Sequence, residues 1–411
     1  MKVSTMRHRF RQYALLLFGV ILIIPLAACV VIQESTGPGP AMQWSKTFGG
    51  EDYDQGRSIR QTTDGGYILC GITMSNGAGS EDVWLIKTDA EGNELWEKTF
   101  GGKEIDIGVS VQQTTDGGYI VCGSTMSYRA DGEDILLIKT DADGNKLWDK
   151  AFGTGEEINA GRSVQQTTDG GYIVCGITKS YGAANTGAGP TKSSARLIKT
   201  DADGNKLWDK IFSDQVDIAA TSVQQTTDLG YVLCGMKSSD DPFKAGVWLM
   251  KTGPDGDKLW EKTFGGEELS FANSVRQTTD SGYILCGMAG SYQTGKTSVS
   301  LIKTGADGNK LWDKTFEGKG TAEGQSIQQT VDSGYILCGQ TMSGITGKTG
   351  ALLIKVDTNG NKLWDMTFEG EGAAEGYSVQ QTKDGGYIVC GTTKSLGSGG
   401  SKVLLLKIAP E

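Results

Sequence analysis

Seven cysteines, at 70, 122, 175, 234, 286, 338 and 390, fill one slot of a recurring motif. It reads DGGYIVCG at 116–123, 169–176 and 384–391, with near-copies at 64–71, 228–235, 280–287 and 332–339. Thiols could carry redox or metal chemistry, but both need partners. The one histidine, His8, sits at the N-terminus. The body therefore lacks an imidazole base, a Ser-His-Asp or Cys-His pairing, and the commonest metal ligand. The DADGN turns at 141–145 and 201–205 offer oxygens at alternating positions, which suggests calcium. Calcium takes six to eight oxygens. One such turn supplies at most three, and GPDGD (253–257) and GADGN (305–309) drop the first carboxylate. A hairpin turn with a left-handed glycine explains the pattern better, so no metal and no cofactor is expected.

Glutamine recurs at 61, 113, 166, 225, 277, 329 and 381, preceded by Arg60, Gln112, Gln165, Gln224, Arg276, Gln328 or Gln380. A ring of amides could bind a polar ligand. The preferred expectation is structural, because buried backbone groups between neighbouring sheets need partners. Arg60 and Arg276 break the pattern and are candidate binding residues.

The elements that would position these groups follow a beat. Trp44, Trp96, Trp148, Trp208, Trp260, Trp312 and Trp364 are spaced 52, 52, 60, 52, 52 and 52 residues apart. The longer interval contains an insert, YGAANTGAGPTKSSA (181–195). Each unit splits into four strand-like runs: SVQQTT, YIVCGST, DILLIKT and KLWDKAF in the second. Asp-Gly turns separate them, as tight hairpins require. The nearly continuous apolar runs suit strands covered on both faces. A period near 50 with four strands is the mark of propeller blades. The body opens with a lone fourth strand (MQWSKTFGG, 42–50) and closes with three that lack a fourth. The expected fold is all-β: a seven-bladed β-propeller of four antiparallel strands per blade over 42–411, closed when strand 42–50 joins the last three.

The unit DVWLIKTDAEGNELWEKTFGG, with its DGGYI continuation, resembles the bacterial and archaeal seven-bladed β-propeller repeat family of exported and surface proteins. The resemblance covers about 370 of the 411 residues, from Met42 onward. It implies a fold and a surface setting but no defined activity. A weaker likeness is to quinoprotein-type propeller repeats, since Asp89, Gly92 and Trp96 approximate their Asp-Gly-Trp pattern with a turn one residue shorter. That family implies adjacent cysteines, whereas here no two are closer than 41 residues.

The N-terminus reads as an address. A basic stretch (MKVSTMRHRFRQ) and an apolar run (YALLLFGVILIIP) lead to LAAC, the layout of an export signal. Its ending resembles the prokaryotic lipoprotein signal, which implies cleavage after residue 28, lipid on Cys29, and a linker over 29–41. Residues 33–41 read as a flexible leash. An uncleaved anchor is the alternative, and either tether places the body outside the cytoplasm.

Setting aside the four cations before Cys29 leaves 35 basic against 49 acidic residues, net −14. Such a surface repels phosphate backbones, so nucleic acid is not an expected partner. Individuality should sit where repeats differ. The fourth-to-first loops are acidic and share one face with the second-to-third loops. Asp54, Asp106, Asn159, Asp217, Glu323 and Glu375 are the candidates there. Paired carboxylates could support glycoside chemistry, but solvated surface acids are commoner. The expectation is a monomeric, lipid-anchored, non-enzymatic binding module for a surface protein or polysaccharide. The alternatives are an exported enzyme, quinone-dependent or carbohydrate-active, and a scaffold subunit of an envelope complex. The cysteines read as small buried hydrophobes and free thiols.

Overall fold

The computed structural model describes residues 31–35, 39–128, 132–153, 157–180, 192–241, 244–291, 294–318, 320–342, 347–370, 372–394 and 400–411. The signal, Cys29 and most of the 181–195 insert therefore lie outside the described residues.

The described residues form strands joined by turns, with no helix among them. Unit one runs Asp54–Gln61, Tyr67–Thr73, Asp82–Thr88, Glu94–Phe100, each strand antiparallel to the one before it. Five further units repeat this order over 106–152, 157–212, 218–265, 269–317 and 322–369. One more unit is split between the chain ends. Ala374–Gln381, Tyr387–Lys394 and Ser401–Ile408 supply three strands, and Met42–Phe48 pairs antiparallel with the last, Trp44 opposite Lys407. Repeated four-stranded antiparallel sheets of this kind fit a β-propeller.

Units four and five share one eight-stranded sheet, joined by a single parallel pair, Ala245 with Leu269. The same kind of bridge joins Tyr53 to Ser401, Glu81 to Ile105, and Glu133 to Ile158. It is a junction contact between neighbouring units rather than a different architecture.

The core lies between the sheets. One cluster combines Ile68, Cys70, Val83 and Leu85 of unit one with Val111, Tyr119, Val121 and Leu136 of unit two. Another joins Ile59, Tyr67 and Trp84 of unit one to Ile388, Cys390 and Val403 of the split unit. The recurring tryptophan stands edge-on to the next unit's tyrosine, with centroids 5.9–6.2 Å apart, from Trp44–Tyr67 to Trp364–Tyr387. Such pairs add about 0.5–1.5 kcal/mol beyond area burial. The glycine of the third-to-fourth turn lies under that ring. At Gly92, φ is +77° and an added Cβ would stand 2.6 Å from Trp44. Both the conformation and the close approach demand glycine.

Each of the seven repeat cysteines, Cys70 to Cys390, is buried as a free thiol. Its neighbour explains the slot: a Cβ added at Gly56 would meet Cys390 Sγ at 2.6 Å, and one at Gly108 would meet Cys70 Sγ at 2.6 Å. A small thiol of one unit thus packs on the bare backbone of the next.

One stretch departs from expectation. Val31–Ser35, inside the linker expected over 29–41, form a strand antiparallel to Lys362–Glu369. The physical opening is the outer edge of that unit, whose backbone groups are otherwise unpaired.

Candidate functional site

The first strand of every unit lines a central channel, and its side chains divide into staples and variables. The staples come from the repeated glutamine and serine. Thr63 N donates to Gln113 Oε1 of the next unit at 2.8 Å. The equivalent bond recurs at every junction, ending with Lys383 N to Gln61 Oε1 at 2.9 Å. The serine oxygens accept similarly, from Val111 N to Ser58 Oγ at 3.2 Å through Ile59 N to Ser378 Oγ at 3.3 Å. The amides therefore satisfy backbone groups between units, the structural reading of the glutamine ring.

The preceding position forms a second girdle. Gln112, Gln165, Gln224, Gln328 and Gln380 each accept from the next unit's glutamine N–H at 2.6–2.8 Å. Arg60 and Arg276 hold this position in units one and five. A guanidinium has only donors, so Gln113 N and Gln329 N face no such acceptor. Each arginine instead bonds the carbonyl just before it, Ile59 O at 2.7 Å and Val275 O at 3.0 Å. Burial, then the Arg276 charge, pull Arg60 down to about 10; burial also lowers Arg276.

Above this girdle the channel widens into a chamber of about 430 Å³, lined in part by Arg57, Arg162, Asn273, Glu323, Gln325 and Tyr377. Arg57 lies over the Tyr377 ring, 5.1 Å from its centroid. Tyr377 donates its hydroxyl to Glu375 and accepts from Gln55 Nε2 at 2.9 Å. Burial, then the Glu375 bond, push the phenol well above its usual range. Glu323 accepts from Asn273 and Gln325 at 2.8 Å each. Arg57 Nε is buried with no hydrogen-bond partner among the described residues.

The other loop candidates are placed differently from expectation. Asp54, Asp106 and Asn159 are fully buried, not solvent-facing. Asp54 accepts from Gly50 N at 2.8 Å, Thr73 Oγ1 at 2.6 Å and Ser75 Oγ at 2.7 Å. Asp106 repeats this with Gly102 N and Ser127 Oγ. Asn159 accepts from the buried Arg196, which also forks onto Asp209 at 2.7 and 3.0 Å. Asp217 accepts from Ser193 N at 2.7 Å and Ser193 Oγ at 2.8 Å. These groups brace the loops, whose backbone N–H groups need acceptors. One residue along their strands, Glu323 lines the wider chamber and Glu375 accepts from the Tyr377 hydroxyl that does.

Sequence reasoning missed Arg57, Arg162, Asn273, Gln325 and Tyr377. One register position reads Arg57, Val109, Arg162, Thr221, Asn273, Gln325, Tyr377, directly before an invariant serine. That variation inside a uniform strand was the available signal.

The Asp-Gly-Gly turn does more than reverse the chain. Its aspartate pairs with a buried lysine of the third strand, Asp64 with Lys87 at 2.9 Å, and likewise in every unit at 2.7–3.0 Å. In the other turn, Asp141 accepts from Asp143 N and Asn145 N at 3.0 and 2.8 Å, and from Asn145 Nδ2 at 3.0 Å. Those carboxylate oxygens are engaged within the turn. No group of three or more His, Cys, Asp or Glu that could hold a metal occurs among the described residues.

No protein-family model matches the chain, and no curated protein matches it. Among solved structures it is similar to Sqt1 from Chaetomium thermophilum, at 13% identity and TM-score 0.44, covering 83% of this chain and 80% of that one. It is similar to BBS1N in complex with ARL6DN, at 8% identity and TM-score 0.45, covering 94% and 98%. It is also similar to a puromycin hydrolase S511A mutant, at 12% identity and TM-score 0.46, covering 82% of this chain and 58% of that one. None of these likenesses bears on activity.

Proposed function

We propose that this chain is a seven-bladed β-propeller closed by its own N-terminal strand, exported, lipid-anchored through Cys29, and acting as a non-enzymatic binding module at the cell surface. The binding place is the axial channel and its wider mouth. The observation that carries this reading is convergence: residues that differ between otherwise uniform repeats, Arg57, Arg60, Arg162, Arg276, Gln325 and Tyr377, line one cavity. A rigid scaffold with individuality gathered in one concave place is the usual arrangement of a recognition site. The reactive groups that recur in every unit are engaged in packing or pairing. Burial pushes the Cys122, Cys234 and Cys390 thiols up to about 12, which leaves them unreactive at neutral pH. The ligand class is a polar surface component, a polysaccharide or protein.

The test has two arms. Cells fed a labelled fatty acid should label the wild-type chain and not Cys29→Ala. The full chain, in detergent, should be retained by one immobilised surface polysaccharide or protein. Retention should fall at least tenfold in Arg57→Ala/Tyr377→Ala with the melting temperature kept. Unchanged retention would move binding out of the channel, and cleavage of the retained material would overturn the non-enzymatic reading.

A further inference from the structure

Resting on that reading of the channel, we propose that its narrow chamber takes a compact oxyanion (a carboxylate, sulfate or phosphate group) held between Arg60 and Arg276. The chamber is a cavity of about 320 Å³, lined by these two arginines and by Gln112, Gln165, Gln224 and Gln328 among others. A water occupies about 30 Å³, so an oxyanion and several waters fit. No carboxylate lines this chamber.

The two arginines stand where the other units hold glutamine. Five units place a glutamine here, and its oxygen caps the next unit's backbone N–H. Arginine forfeits that bond and adds a half-buried cation that faces the channel. It does so twice, on the same girdle, where the two charges oppose one another. Each guanidinium has five N–H donors, and its one bond among the described residues goes to the carbonyl just before it. No ion pair among the described residues neutralises either. A partly desolvated cation without a counterion is destabilising, and an anion between the two would relieve both the repulsion and the unmet donors. Charge-assisted bonds to oxyanions are among the stronger contacts available.

The same two arginines also line the wider chamber. They stand at the junction, so the anionic group of a larger polar molecule could lodge there with its neutral remainder above. Glu323 lines the upper chamber and disfavours a second negative charge there. The acidic outer surface does not decide the matter, because at physiological salt charges beyond about 8 Å are largely screened.

The variants that test this restore the residue of the other five units. Arg60→Gln/Arg276→Gln should fold, because glutamine already serves that position elsewhere. In the full chain, in detergent, sulfate should raise the melting temperature of the wild type beyond chloride at equal ionic strength. The double variant should melt higher than wild type without sulfate, and its sulfate affinity by calorimetry should be at least about 100-fold weaker. Equal responses to sulfate and chloride, or an equal sulfate response in the variant, would overturn the site. Glucuronate and glucose separate the sources. A glucuronate response lost in the variant supports an anion carried on a polar body; sulfate alone supports a free inorganic anion. A glucose response without any anion response overturns the oxyanion while leaving channel binding intact.

Discussion

Gln61 N donates to Gln380 Oε1 at 2.7 Å, across 319 residues of sequence. In return, Lys383 N donates to Gln61 Oε1 at 2.9 Å. Units joined by a few residues of chain make the same bonds, as between Thr63 N and Gln113 Oε1. Gln61→Leu and Gln113→Leu should therefore destabilise by similar amounts, roughly 0.5–1.5 kcal/mol for one lost hydrogen bond whose donor can turn to water. Chemical denaturation of each variant checks this. A markedly smaller cost at Gln61 would mean that the junction between the chain ends is looser than the rest.

Acid should unfold this protein steeply. Burial raises the aspartate of each Asp-Gly-Gly turn, but bonds from a lysine, a threonine and a backbone N–H outweigh it, holding Asp64 at about 2. Its counterparts move in the same direction. A carboxylate lowered in the folded state contributes stability fully above its unfolded value, about 3.9. That contribution is lost as pH falls through the folded value. Each aspartate is half exposed, so one pair adds little alone. Melting temperature should stay level from pH 7 to 5 and drop sharply between about pH 4 and 2. A gradual decline starting near pH 6 would contradict this.

Much of the fold was legible because its causes are local. The tryptophan beat, the Asp-Gly turns and the continuous apolar runs each fix a strand or a reversal within a few residues. Asp64 was legible only as a turn residue, because Lys87 lies 23 residues and two strands away and no local pattern links them. From sequence, the acids at 54 and 106 read as surface groups, because acidic loops usually are. Nothing in the chain reports that loop N–H groups turn those carboxylates inward. Arg60 and Arg276 stood out as departures from glutamine, but their effect on the girdle needed the neighbouring unit's backbone.

Replacing Gly108 by valine should destabilise by about 1–3 kcal/mol, since even its Cβ would meet Cys70 Sγ at 2.6 Å and Gly71 O at 2.8 Å. Cys70→Ala should recover part of that loss in the double variant and cost stability on its own. Additive effects in thermal unfolding would refute the contact.

Arg196→Leu should invert the titration of Asp209. Burial raises that carboxyl, but the bonds from Arg196 outweigh it and hold it below its usual value. In unit two the same positions are Leu136 and Asp149, and burial leaves Asp149 raised. The variant reproduces that environment, so a carboxyl-detected NMR titration should find Asp209 shifted upward. The wild-type contribution is present above about pH 4 and lost below, so the variant's penalty should be largest at neutral pH. Breaking a buried pair costs about 3–5 kcal/mol; Lys206, at 3.0 Å from Asp209, keeps the loss toward the lower end.

The strand Val31–Ser35 pairs with the one outer strand that lacks a lysine at its centre. Lys46, Lys98, Lys150, Lys210, Lys262 and Lys314 hold that position in the other units, whereas Lys362–Glu369 carries Met366, which stands opposite Ser35. Lysine on an edge strand opposes strand addition, because pairing would bury its charge. Met366 is almost fully buried. Met366→Lys should therefore release the segment while the body stays folded, since the new side chain regains water once the fifth strand leaves. Hydrogen exchange at 32–35 should then accelerate to nearly the unprotected rate, with the melting temperature of the body falling by only a few degrees. Unchanged protection at 32–35 would show that something other than the missing lysine admits this strand.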